Sequence, residues 1–131
     1  MKKIKIAPQP NLQEKLKFSR LVMVDNFAYI SGTAPFDEDL NVVFPQDAYQ
    51  QTCHCLNIIK TSLEAIKFEM NDIVRVRLYI RDMNNLEQII KAFNKFFLDI
   101  LPACSIIQTA GFIDENMHIY IDADAHKPSK D

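Results

Sequence analysis

The chain has 131 residues, 48% of them hydrophobic and 24% charged, and a formal net charge of −2. That is enough chain for one domain with a proper core and too apolar a composition for disorder. Its charge offers no electrostatic case for a nucleic-acid or membrane partner. No apolar run approaches the ~20 residues of a membrane helix. The N-terminal lysines lead into no apolar signal block, and three cysteines without framework spacing suit a reducing, cytoplasmic setting. The only glycines are Gly32 and Gly111, so a glycine-rich phosphate loop is excluded.

Residues 2–7 predict a short edge strand, broken by Pro8 and Pro10. The polar residues 9–16 read as loop. Residues 18–24 predict a strand, Asp25-Asn26 a tight hairpin turn, and residues 27–32 the returning strand, with Phe27, Tyr29 and Ser31 on one face and Ala28 and Ile30 on the other. Pro35, Asp37, Glu38, Asp39, Asn41 and Pro45 mark residues 33–45 as the longest loop. Residues 46–67 predict the strongest helix. Ala48, Thr52, Cys55, Leu56, Ile59, Leu63 and Ile66 recur at helical spacing and form one buried stripe.

After Asn71-Asp72, residues 73–80 predict a strand with Val74, Val76, Leu78 and Ile80 inward and Ile73, Arg75, Arg77 and Tyr79 outward. A second helix runs over residues 82–100 until Pro102 stops it. The chain closes with an expected antiparallel hairpin of residues 106–112 and 117–125. In its second strand Ile119, Ile121 and Ala123 alternate with Tyr120, Asp122 and Asp124. Residues 127–131 form a polar tail.

Three strands, a helix, a strand, a helix and two strands predict a single α+β domain over residues 1–131: a mixed sheet with both helices on one face. The uncovered face would carry Tyr29, Ser31, Arg75, Arg77, Tyr120, Asp122 and Asp124 among Phe27, Ile73 and Ile107. Such a face is incomplete in a monomer and predicts self-association.

Residues 27–32 (Phe-Ala-Tyr-Ile-Ser-Gly), Gln51-Thr52 with Leu56-Asn57-Ile58, residues 71–76 (Asn-Asp-Ile-Val-Arg-Val), Tyr79-Ile80-Arg81-Asp82, Phe96-Phe97 and Leu101-Pro102-Ala103-Cys104-Ser105 form a recognisable series. These stretches resemble the RidA/YjgF family, also known as endoribonuclease L-PSP or reactive-intermediate deaminase. They follow the family's order over nearly the whole chain. The resemblance implies a chorismate-mutase-like fold and a homotrimer whose sheets form a central barrel. It also implies small-molecule clefts between subunits. No cofactor or metal is expected, and the composition leaves nucleic acid and membrane out as partners.

Deaminase members of that family hydrolyse imine and enamine acids such as 2-iminobutanoate, released by PLP enzymes. Their motif arginine grips the substrate carboxylate with a planar fork. Here that position is Cys104, a thiol that cannot grip in this way. The family's water-positioning glutamate falls on Tyr120, a tyrosine on Phe18 and an asparagine on Ile90, while the serine is kept at Ser31 beside Gly32. The resemblance therefore implies a metabolite-binding trimer whose deaminase site is degraded or altered. Two alternatives stand beside it: a deaminase whose carboxylate anchor has moved to Arg75 or Arg77, and a non-enzymatic trimer, redox-regulated or partner-binding.

The candidate ligand-binding residues are Phe18, Tyr29, Ser31, Gly32, Arg75, Arg77, Ile90, Cys104, Tyr120 and Asp122, with Cys104 and Tyr120 the catalytic candidates. In a hairpin, Cys104 would face Ala125, which brings His126 near as a base. The plain alternative for Cys104 is a small half-buried residue at a strand start. Arg75 and Arg77 with Asp122 and Asp124 read equally as an ion-pair network. Cys53-His54-Cys55 invites a metal, yet helical neighbours point about 100° apart and cannot converge on one ion.

Overall fold

The computed structural model describes residues 2–128. Its elements are β1 (Lys3–Ile6), α1 (Pro10–Lys15), β2 (Leu21–Val24), β3 (Phe27–Thr33), α2 (Ala48–Glu64), β4 (Ile73–Ile80), α3 (Leu86–Phe97), β5 (Ala103–Gln108) and β6 (Ile119–His126), with 3-10 turns at Met70–Asp72 and Met83–Asn85. Residues 10–15, expected as loop, form a helix. Pro10 starts it, because its fixed φ suits a first helical turn and its missing N–H costs nothing there.

The six strands lie in the order β1-β2-β3-β6-β4-β5, and α2 and α3 cover one face. Asp25 takes φ 54 in the turn that pairs Val24 with Phe27, so the first hairpin forms as expected. The closing hairpin does not form. β5 lies parallel to β4, at the sheet edge, because the connection between them is a helix, and a strand–helix–strand crossover returns the chain parallel. β6 then enters between β3 and β4, antiparallel to both. Cys104 consequently pairs with Val76, whereas Ala125 pairs with Ala28 and Ile73. One strand, β4, separates the expected partners, and His126 instead stacks on Phe27 with ring centroids 4.2 Å apart.

Two bulges depart from simple alternation. Ile73 pairs with Ala125 and Arg75 with Asp124, so Val74 is an extra residue. It turns outward, 50% exposed, while Ile73 is 3% exposed in the core, the reverse of the alternation expected for both. In β3, Ile30 pairs with Ala123 and Thr33 with Ile121, which sets Ser31 and Gly32 together opposite Asp122.

The core lies between sheet and helices. Leu56, Ile59 and Leu63 of α2 and Ile89 and Phe97 of α3 meet Val76, Leu78, Ile80, Ile119 and Ile121. Truncating one such side chain to alanine removes about 2–5 kcal/mol. Asp47 caps α2 by accepting the Gln50 N–H at 3.0 Å. Gln51 is fully buried and satisfied. Its amide nitrogen donates to the carbonyls of Val43, Phe44 and Asn116, and its oxygen accepts from the His118 N–H. His118 Nε2 lies 2.7 Å from the Pro45 carbonyl. None of the described helices is long and apolar enough to cross a membrane.

Candidate functional site

Period-two alternation delivers the polar residues of β4 and β6 to the uncovered face, and the register brings opposite charges side by side. Arg77 pairs with Asp122, and Tyr79 with Tyr120. The Arg77 guanidinium donates from Nη1 to Asp122 Oδ1 at 2.8 Å and from Nη2 to Asp124 Oδ2 at 3.3 Å. The Tyr79 hydroxyl donates to the other Asp122 oxygen at 3.0 Å. Asp122 thus carries two donors. Its hydrogen bond to Arg77 is the leading cause that raises the arginine pKa further. Tyr79 is raised first by burial and then by the hydrogen bond it gives to Asp122.

Tyr120 forms the floor of a cavity of about 470 Å³ with Tyr79, Phe112, Thr109, Gly111 and Met117. The Tyr79 and Phe112 rings stand 6.0 and 6.3 Å from that of Tyr120. Burial raises the Tyr120 pKa, and the nearby Arg20 works against it. Its ring lies so close over Gly32 that a Cβ there would fall within the phenol. Glycine is required for this approach, not for an unusual φ. The cavity offers apolar walls and two phenols that are protonated at neutral pH: a surface for binding and orienting a small molecule, with no free base among these lining residues.

The sequence-derived set divides in two. Gly32, Arg77, Tyr120 and Asp122 come together on the uncovered face. Tyr29 and Arg75 are exposed on the same face, and both pair in register with Asp124. Arg75 makes no ion pair within the described residues. Ser31 sits on the β3 bulge, and its hydroxyl donates to the Ser19 carbonyl at 2.7 Å. Phe18, Ile90 and Cys104 are not among the residues that line the Tyr120 cavity. Phe18 lines a hollow beside α1 with Glu14 and Lys17, and Ile90 is exposed on α3. Cys104 shares the face of Val76, on the helix side of the sheet. Burial raises the Cys104 thiol pKa, and no cation opposes the shift, so thiolate is scarce at neutral pH. Cys53 and Cys55 are buried, His54 turns to the Phe36 carbonyl at 2.9 Å, and no metal-holding cluster exists among the described residues.

One residue escapes sequence reasoning. Arg20 precedes β2 and is 8% exposed. Its Nη2 donates to the carbonyls of Ser31 and Gly32 at 2.6 and 3.0 Å and to Thr33 Oγ1 at 2.7 Å. These acceptors belong to the bulge, where the ladder is interrupted, and the guanidinium replaces the missing donors. The sole hint in sequence is a long cation abutting an apolar strand.

Comparison with known proteins agrees with this architecture. The family model described as Endoribonuclease L-PSP matches residues 9–127. A RutC family protein of Pyrococcus horikoshii is 28% identical over 110 residues, covering 84% of this chain and 86% of that protein. A Thermotoga maritima protein of known structure is 28% identical with a TM-score of 0.79, covering 86% of this chain and 87% of the other. A member of the YjgF/YER057c/UK114 family from Mycobacterium tuberculosis superposes with a TM-score of 0.86 at 21% identity, over 96% of this chain and all of that one. With the family's whole sheet-and-helix arrangement and a match over almost every described residue, the chain belongs to the endoribonuclease L-PSP, or RidA/YjgF, family.

Proposed function

We propose that this protein is a homotrimer that binds a small metabolite on the uncovered sheet face and in clefts between subunits, and that it lacks arginine-anchored imine hydrolysis. The observation that carries this reading is the state of the groups available for catalysis. Position 104 holds a thiol whose pKa is raised by burial, and Arg77 is already paired with Asp122 and Asp124. An arginine held by two carboxylates has little positive charge left to offer a substrate carboxylate. The aromatic cavity of Tyr79, Phe112 and Tyr120 remains suited to a small molecule. That Phe18, Ile90 and Cys104 do not line the Tyr120 cavity of one protomer supports a cleft completed by a neighbouring subunit.

A coupled assay tests this. A PLP-dependent threonine dehydratase generates 2-iminobutanoate, and ketoacid release is followed with and without the protein, whose trimeric state is checked by sedimentation. The expected result is no acceleration by a folded trimer. Acceleration would overturn the reading and favour an anchor moved to Arg75, which is exposed on this face and free of ion pairs among the described residues. A monomer at micromolar concentration would overturn the assembly.

A further inference from the structure

The cavity floored by Tyr120 is walled by Leu16, Tyr79, Phe112, Ile113 and Met117, and no residue that lines it carries a charge. Its rings do not lie parallel. Those of Tyr79 and Phe112 are tilted by 57° and 42° to that of Tyr120. Rings at such angles offer their faces to the edges of a flat guest, an arrangement that aromatic quadrupoles favour. A volume of about 470 Å³ takes one aromatic ring with a short side chain.

The charges behind this lining balance. The Tyr79 hydroxyl donates to Asp122 at 3.0 Å, and Asp122 is held at 2.8 Å by Arg77, which also reaches Asp124. Arg20 donates to the Gly32 carbonyl, and the Tyr120 ring lies over that glycine. Each phenol therefore has an arginine close by, and Tyr79 has a carboxylate in contact. Bare aromatic faces attract cations, but here a cation meets the fields of Arg20 and Arg77. An anion meets Asp122 and finds no cation in the lining. Either ion would leave water without gaining a counter-charge, which is unfavourable.

Polar groups at the cavity are few. The Thr109 hydroxyl donates to the Gly111 carbonyl at 3.2 Å, and the Tyr79 proton is committed to Asp122. The Tyr120 hydroxyl makes no side-chain hydrogen bond among the described residues, and it is not one of the unpaired atoms sealed from solvent. Its proton is free for an acceptor. We infer that the ligand of this site is an uncharged aromatic molecule with one hydrogen-bond acceptor on a short side chain. Its ring lies among Tyr79, Phe112 and Tyr120, and its acceptor takes the Tyr120 proton. This inference rests on the reading of the uncovered face as a small-molecule site and names the class of molecule.

The test is an amide NMR titration of the full chain with four probes. Phenylacetamide has the ring, the acceptor and no charge. Phenylacetate and phenethylamine keep the ring and replace the amide with an anion or a cation. Cyclohexylacetamide keeps the amide and loses the flat ring. Saturable shifts at Gly111, Phe112 and Tyr120 are expected with phenylacetamide at concentrations on the order of millimolar. The two ions should bind about tenfold more weakly, and cyclohexylacetamide about fivefold more weakly. Phe112→Leu keeps an apolar wall without a ring, and Tyr120→Phe keeps the floor without its proton. Each should weaken phenylacetamide binding about fivefold. Phenylacetate or phenethylamine binding as tightly as phenylacetamide overturns the inference and leaves the small-molecule site standing. Undiminished binding in either variant overturns it in the same way. The absence of saturation with phenylacetamide also overturns it, while the coupled assay and sedimentation decide the reading of the face independently.

Discussion

Two arginines show how differently one chain treats the same side chain. Arg77 stands half-exposed in the uncovered sheet face and is held by two carboxylates. Arg20 is buried, and the hydrogen bonds it makes go to two carbonyls and a hydroxyl. The exposed cation is the one with counter-charge, and the buried cation is the one without. An ion pair near water is worth little, because solvent screens it and two long side chains must be ordered. A guanidinium that serves the acceptors of an interrupted ladder matters more, because these partly buried acceptors would otherwise lose a donor that water reaches poorly. Structural weight therefore lies with Arg20, although charge pairing draws attention to Arg77.

The largest expected effect attacks that contrast directly. Arg20→Ala leaves Gly32 O and Thr33 Oγ1 without the Arg20 donor and Ser31 O with only the Thr33 hydroxyl, and opens a hole beneath the bulge, for a loss of about 3 kcal/mol in urea unfolding. Arg77→Ala losing as much would abolish the distinction. Next, Gly32→Ala drives a methyl into the Tyr120 ring and should cost about 1–3 kcal/mol. Adding Tyr120→Ala should restore part of that loss, and strict additivity in the double-mutant cycle would show that the contact does not matter.

A smaller effect concerns the sheet face alone. A double-mutant cycle on Arg77 and Asp122 should give a coupling of about 0.5 kcal/mol that shrinks at high salt. Alkaline titration sharpens the picture further. Tyr79 and Tyr120 are both raised above the ordinary value of 10.0. Below that value the folded and unfolded chains alike keep these protons. Above it the unfolded chain releases them first, so stability falls as pH climbs through the folded values. Tyr79→Phe should flatten this fall, and an unchanged slope would contradict the burial of that phenol. Smallest of all, Cys104 is the most exposed of the three thiols, though partly shielded from water. At neutral pH it should alkylate several-fold more slowly than a small free thiol, because burial raises its pKa. Faster reaction would revive it as a nucleophile.

Much of the fold is legible before any coordinates. The stripe from Ala48 to Leu63, the β4 and β6 alternations and the Asp25-Asn26 turn are local patterns, set by periods of 3.6 and 2 and by turn chemistry. The facing of Arg77, Tyr79, Tyr120 and Asp122 follows from the same alternation, and the motif residues are enough to indicate the family. What local pattern cannot contain is strand adjacency. Residues 103–108 and 119–126 are consecutive strands, yet the crossover through α3 seats the first beside β4 and leaves room for the second between β3 and β4. That separates Cys104 from His126.

The sequence by itself determined which residues are apolar, with what period, and hence which side chains share a face, because those properties depend on neighbours along the chain. Only the tertiary structure decided where alternation slips, as at Val74 and at Ser31-Gly32, because a bulge is the compromise between two strands whose pairing partners lie far away in sequence. It also decided the fate of Arg20, a lone arginine in sequence whose role is set by carbonyls brought over it from the next strand.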